Sequence, residues 1–358
     1  MLKPTSLAAI VALALFAVPS LSEYTLKTDL SHSKFFENFE LYSDEDPTKG
    51  FVQYQDLASA IANQHIGYLD DKSVFLGVDY SNKSRNGRAS IRAESKINFN
   101  HGLLVADIKH MPANECGVWP AFWTLGEKKW PEGGEIDILE GVNDETRNAV
   151  TLHTSQGCVV DNSTQDFSGW MKTDDCDVEA KDQGNNEGCK IKAPLDDNAQ
   201  SYGTPFNDVG GGVYAMEWTD SFIQAWFFPR NSPDFPSLPS VPLDGSSSAP
   251  AIDTSKWPKP VARFAGSECD FGSRFKDQRI IFNIAFCGEW AGEKSVWGQS
   301  CRKKTGVEKC ADYVRDNPEV FEEAFWEIAG LWWFEEKETE EKRGTDQLVH
   351  ARGREYQW

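Results

Sequence analysis

The 358-residue sequence is short of several things, and each shortage removes a class of function. Its main apolar run, residues 7–18, is well under the roughly 20 residues that a membrane-spanning helix needs. No Cys-x-x-Cys occurs and no two His stand at ligand spacing, so the usual frame of a zinc site is missing. No internal repeat is present, which removes solenoids and propellers. Positive charge is scarce, with 36 Lys and Arg against 56 Asp and Glu and a formal net charge of −20. Such a polyanion repels nucleic acid and anionic lipid. The expected partner is a neutral or cationic ligand, with no nucleic acid, no membrane, no metal and no cofactor, and the chain is expected to act as a monomer.

What is present points to an extracellular protein. Lys3 followed by the apolar run and by the small residues Ser20 and Ser22 reads as a secretory signal over residues 1–22. Eight Cys fit an oxidising compartment, with Cys176–Cys189 and Cys301–Cys310 expected as local loop closures. Asn82-Lys83-Ser84 and Asn162-Ser163-Thr164 are glycosylation sequons. Thirteen Trp are many for this length. Any one of them read alone is a core residue, but aromatic faces also pack against the C–H face of a neutral sugar.

The periodic segments are short and β-rich. Strands are expected at residues 74–80, 89–97, 103–109, 118–125, 135–140, 213–218, 222–228, 280–285 and 325–333. Thr219-Asp220-Ser221 reads as a hairpin turn, and one short helix is expected after an Asp56 N-cap. This pattern is all-β, an antiparallel sandwich or barrel. Residues 229–260 hold eight of the 17 Pro and read as a long surface loop. A single domain is expected over residues 23–334, with a charged tail at 335–358.

One segment concentrates the chemistry. Glu135-Ile136-Asp137-Ile138-Leu139-Glu140 is a strand with apolar residues between its acids. On a regular strand Glu135 and Asp137 share a face, while Glu140 has the wrong parity. A β-bulge at Ile138-Leu139 would return Glu140 to that face. Acidic spacing of this kind arises about once by chance in so acidic a chain. It recurs at Asp177/Glu179/Asp182 and at Glu336/Glu338/Glu341, but there the intervening residues are polar and the runs read as solvated. Calcium is the plainer alternative, yet a strand face wraps poorly around six or more oxygen ligands. Three acids on one face repel, so one is expected to hold a proton near neutral pH, the condition an acid/base pair requires.

Gly133-Gly134-Glu135-Ile136-Asp137-Ile138-Leu139-Glu140-Gly141 resembles the active-site signature of glycoside hydrolase family 16, in the laminarinase-type form with the extra residue. Residues 90–96, 117–123, 151–155, 210–218 and 286–292 are similar, in the same order, to segments of fungal endo-1,3(4)-β-glucanases. The resemblance implies a concanavalin-like β-sandwich (jelly roll) whose bent sheet forms an open substrate cleft for β-glucan. It also implies Glu135 as nucleophile, Glu140 as general acid/base and Asp137 as the residue that hydrogen-bonds the nucleophile. His153 would stand beside them on the next strand. Trp119, Trp123 and Trp290 would stack on sugar, and Arg92 would contact it or support the acids. Three features depart from the pattern: Glu289, Trp170 and the charged stretch Asp144-Glu145-Thr146-Arg147.

Overall fold

The computed structural model describes residues 23–161, 163, 166–194, 200–239 and 249–337. The expected signal segment, the sequon residue Asn162 and the tail beyond Lys337 lie outside these residues. Asn82, the other sequon residue, is exposed.

Alternation of apolar and polar side chains builds two large antiparallel sheets. One has nine strands, running in space from Ile252–Asp253 through Glu23–Asp29, Trp326–Glu336, Gly102–His110, Gly212–Trp218 and Phe222–Pro229 to Ala262–Ala265. Ile66–Tyr68 and Val74–Leu76 join it through the Trp326–Glu336 strand. The other has eight strands: Trp170–Thr173, Cys189–Lys192, Ala149–His153, Glu135–Glu140, Val118–Gly126, Gln278–Phe286, Arg92–Ser95 and Phe39–Leu41. Their inner faces close on one core. Phe122, Ile136, Ile280, Phe282 and Ile284 come from the eight-stranded sheet and Leu104, Ala106, Tyr214, Met216 and Trp333 from the nine-stranded one. Burying each such side chain stabilises the fold by about 1.5–3 kcal/mol. The expected all-β sandwich is thus the fold observed.

The helix after Asp56 forms at Leu57–Ala62, with the Asp56 carboxylate accepting the Ser59 N–H at 2.7 Å. Of the segment 229–260, the described residues 229–239 and 249–260 include four that pack on the outer face of the nine-stranded sheet. There Phe235, Leu238, Ala249 and Trp257 pack on a second apolar cluster that includes Trp226, Phe228 and Trp332.

The structure differs from the sequence expectations in several places. The segment 89–97 is two strands, Arg88–Ser90 and Arg92–Ser95, because the first pairs in parallel with Val52–Tyr54 and the second with the large sheet. The segment 74–80 is a strand only over Val74–Leu76. The last strand runs to Glu336, two residues into the segment read as a tail, because it pairs with Glu23–Asp29. Four short helices, Gly288–Ala291, Lys294–Gln299, Cys301–Thr305 and Cys310–Asp316, occupy a stretch without helical periodicity. None is long enough to show a 3.6-residue repeat, and disulfides rather than propensity hold the group.

Those disulfides correct one pairing. Cys176–Cys189 forms as expected, but Cys301 is bonded to Cys116 and Cys310 to Cys287. The helical segment is therefore fastened to the start of one site-bearing strand and the end of another, not closed on itself. Cys158–Cys269 completes the set.

Candidate active site

The outward face of the eight-stranded sheet is set by parity. Along Val118–Gly126, Val118 and Phe122 point to the core while Trp119, Ala121, Trp123 and Leu125 point away. Glu135 pairs with Leu125 and Asp137 with Trp123, so both acids share that outward face. The register then shifts between Asp137 and Leu139, and Glu140 pairs with Ala121. The extra residue is Ile138, and its insertion turns Glu140 to the side of Glu135 and Asp137. The expected bulge is present.

Asn148 clamps this irregularity. Its side-chain oxygen accepts the Glu140 N–H at 2.8 Å and its amide donates to the Ile138 carbonyl at 2.7 Å. Both backbone groups are buried and would otherwise lack a ladder partner. The entry to the strand is as constrained. Gly134 has φ +73°, and a Cβ there would stand 2.5 Å from Phe275, so only glycine fits the turn.

Two indoles hold the outer acids. Trp130 Nε1 donates to Glu135 Oε2 at 2.6 Å, and Trp119 Nε1 donates to Glu140 Oε1 at 2.9 Å. Asp137 lies between, 2% exposed, with its Oδ2 3.3 Å from His153 Nε2. His153 is the direct register partner of Glu135 on the adjacent strand. Glu135, Asp137 and His153 each bring a ligand-type atom within 4.8 Å of the others.

Burial dominates the electrostatics. It raises Glu135 to about 8, with the Asp137 charge adding to the shift. It raises Asp137 and Glu140 each to about 7, and in both cases the Lys190 ammonium opposes it. His153 is pushed below its usual range, first by burial. The row therefore holds a proton near neutral pH beside a neutral imidazole, as like charges in a dry site demand. The three carboxyls titrate as one coupled row that carries both a proton and negative charge near neutral pH, and because Glu135 stands highest the division into acid and nucleophile rests on position along the strand, not on these shifts.

The remaining expected site residues flank this row. Trp123 is fixed through Nε1 to Asn283 Oδ1 at 2.8 Å, and Asn283 in turn donates to the Tyr54 hydroxyl at 3.1 Å. Arg92 is buried beside it. Its Nε bonds Glu94 at 2.7 Å, and its guanidinium lies 4.6 Å from the Tyr42 ring and 5.0 Å from the Trp123 ring. Arg92 thus packs its guanidinium between Tyr42 and Trp123. Trp290, on a short helix, meets Trp119 edge-to-face at 5.5 Å. All eight expected site residues come together on one face.

Sequence reasoning missed Trp130, Asn148, Asn283 and Lys190. A Trp before Pro131 and Gly133-Gly134 marks a turn into the acidic strand, which is the one signal that could have singled out Trp130. Of the departures, Glu289 is exposed and paired with Lys49, and Glu145 pairs with Lys192 at 3.5 Å. Trp170 is 58% exposed on the edge strand, in register with Lys192.

The chain is similar to known proteins over most of its length. The chain is 45% identical over 306 residues to an endo-1,3(4)-β-glucanase of Arthroderma benhamiae, an alignment covering 85% of this chain and 63% of that one. It spans about half the length of several curated relatives, such as 44% of a probable endo-1,3(4)-β-glucanase of Aspergillus flavus at 40% identity over 86% of this chain. Among solved structures, laminarinase 16A of Phanerochaete chrysosporium, crystallised with β-glucans in donor and acceptor sites, matches with a TM-score of 0.78 and 39% identity. That match covers 88% of this chain and all of the other. The family profile described as the XgeA-like catalytic GH16 domain matches residues 39–334, and on that evidence the chain belongs to glycoside hydrolase family 16.

Proposed function

We propose that this protein is a secreted endo-β-glucanase that hydrolyses 1,3- or mixed 1,3/1,4-linked β-glucan with retention. The observation that carries the reading is the Ile138 bulge, which turns Glu140 onto the face of Glu135 and Asp137. Retention needs two carboxyl groups flanking the bond, one to attack and one to protonate. Glu135 attacks the anomeric carbon, and Glu140 gives its proton to the departing glycosidic oxygen. The leaving sugar departs as an alcohol and the glycosyl unit stays esterified to Glu135. Glu140, now ionised, takes a proton from water, and the hydroxide released attacks the same carbon, freeing Glu135. Asp137 shares a hydrogen bond with Glu135 and sets its charge. Trp119, Trp123 and Trp290 line the approach as stacking surfaces, with Arg92 packed against Trp123 and His153 beside the acid row. Four disulfides, an apolar leader at residues 7–18 and an exposed sequon at Asn82 support secretion.

A second reading is transfer to a sugar in place of water. It is favoured by the similarity to an elongating family 16 β-1,3-glucosyltransferase, at a TM-score of 0.75 and 40% identity over 87% of this chain and 99% of the other. A non-catalytic lectin is disfavoured because all three acids are retained. Incubation with laminarin, lichenan and cellulose, following reducing ends and product anomers, separates these. Shorter glucans with the β-anomer first support the hydrolase, and products longer than the substrate support transfer. An α-anomer first contradicts retention, and no reaction on any glucan sinks both.

A further inference from the structure

Lys190 stands where a lysine is costly. It is 9% exposed, on the strand Cys189–Lys192, with its stem buried and its ammonium end still reached by solvent, a placement that favours a nearby counter-charge. Among the described residues it forms no ion pair within 4 Å. Lys192, two residues on and facing the same way, is instead paired with Glu145.

The register explains what compensates Lys190. It pairs with Thr151, and Thr151 pairs with Asp137, so the three stand in one row across three strands. Two strand spacings, about 10 Å, separate the outer backbones. An extended lysine leaning along that row carries its charge toward the acids. The ammonium rests 4.7 Å from the Trp290 ring centroid. Trp290 meets Trp119 edge-to-face, and Trp119 donates to Glu140. The cation is thus linked to the acid row through space and through two packed indoles.

We propose that Lys190 is a positioning residue for the reaction, the fixed counter-charge against which Asp137 and Glu140 are set, acting on those acids and not on the sugar. This rests on the assignment of Glu140 as general acid/base. The charged and titratable groups around it are Glu135, Asp137 and Glu140 on one strand, His153 on the next, and Glu187, which is paired with Lys172. Lys190 draws the Asp137 and Glu140 carboxyls down and disfavours protonation of His153. Without it Glu140 would keep its proton to higher pH.

The test is the pH profile of kcat/KM on laminarin for Lys190→Met, which keeps most of the packed stem, and for Lys190→Arg. The alkaline limb moves up by about half a unit or more in Lys190→Met, a threefold change in proton concentration, with KM within about twofold. Lys190→Arg restores the limb. An unmoved limb in a folded Lys190→Met, or a rise in KM alone, overturns the proposal. Should Lys190→Met not fold, Lys190→Gln carries the same expectation. Glu140→Ala on an activated aryl glycoside separates the two assignments. If the alkaline limb persists there, Glu140 is not the acid. If it vanishes there and stays fixed in Lys190→Met, the Lys190 role alone fails.

Discussion

The side chain of Asn148 accepts the backbone N–H of Glu140 at 2.8 Å, and this contact holds the Glu135–Glu140 strand in its bulged form. The same side chain donates to the Ile138 carbonyl, so one residue satisfies both backbone groups freed by the bulge. Asn148→Ala leaves both unpaired in a buried site, at a cost of about 1–3 kcal/mol each at most. The expected result is a lower Tm and a kcat at least tenfold down, with kcat falling more than KM rises. An unchanged kcat would mean that the bulge does not depend on this clamp.

Glu135→Gln removes the proposed nucleophile while keeping shape. Turnover is expected to vanish while laminarin oligosaccharide binding, measured by calorimetry, persists. Near-full rate would reassign the nucleophile. Glu140→Ala is expected to lose least on substrates with activated leaving groups, which depart without a proton.

Trp130 tunes the same carboxylate from the other side. Its indole N–H bonds Glu135 and favours the ionised form, opposing burial. Trp130→Phe therefore raises the Glu135 carboxyl further. The acid limb of kcat/KM is expected to move to higher pH, with the alkaline limb nearly fixed. A fixed acid limb would show that this hydrogen bond does not reach the nucleophile's charge.

The raised acids also fix how stability depends on pH. A carboxyl whose folded pKa lies above its unfolded value binds protons more tightly when folded. Its contribution is full below about pH 4 and is lost as pH rises through the folded values, about 7 for Asp137 and Glu140 and about 8 for Glu135. Glu135→Gln removes that loss. Relative to the unaltered protein, its Tm is expected to be higher by about 2 °C or more at pH 8 and nearly equal at pH 4.5. An equal difference at both pH values would place the effect in packing instead.

Much of the acid row is legible in the sequence alone. The apolar residues at 136, 138 and 139 show which face of the strand is buried, and parity demands a bulge if Glu140 is to join Glu135. What holds the bulge is not legible, because Asn148 is eight residues away in an ordinary loop and its role exists only once two strands pair. Lys190 is hidden for the same reason. Its strand, Cys189–Lys192, has four residues and no repeat to mark it, and its position beside Asp137 arises from two successive strand pairings. Nearness in sequence favours a local loop between Cys301 and Cys310, and that expectation fails. The fold instead brings Cys116 and Cys287, at the ends of neighbouring strands, against that helical segment.

In the proposed mechanism Glu135 forms a covalent glycosyl intermediate while Glu140 handles the proton. The most direct measurement is to trap that intermediate with a 2-deoxy-2-fluoro glucoside bearing an activated leaving group, then map the labelled peptide by mass spectrometry. The account predicts a single label, on Glu135, that is absent in Glu135→Gln. A label on Glu140 or Asp137, or rapid hydrolysis of laminarin to the α-anomer with no label at all, would contradict it.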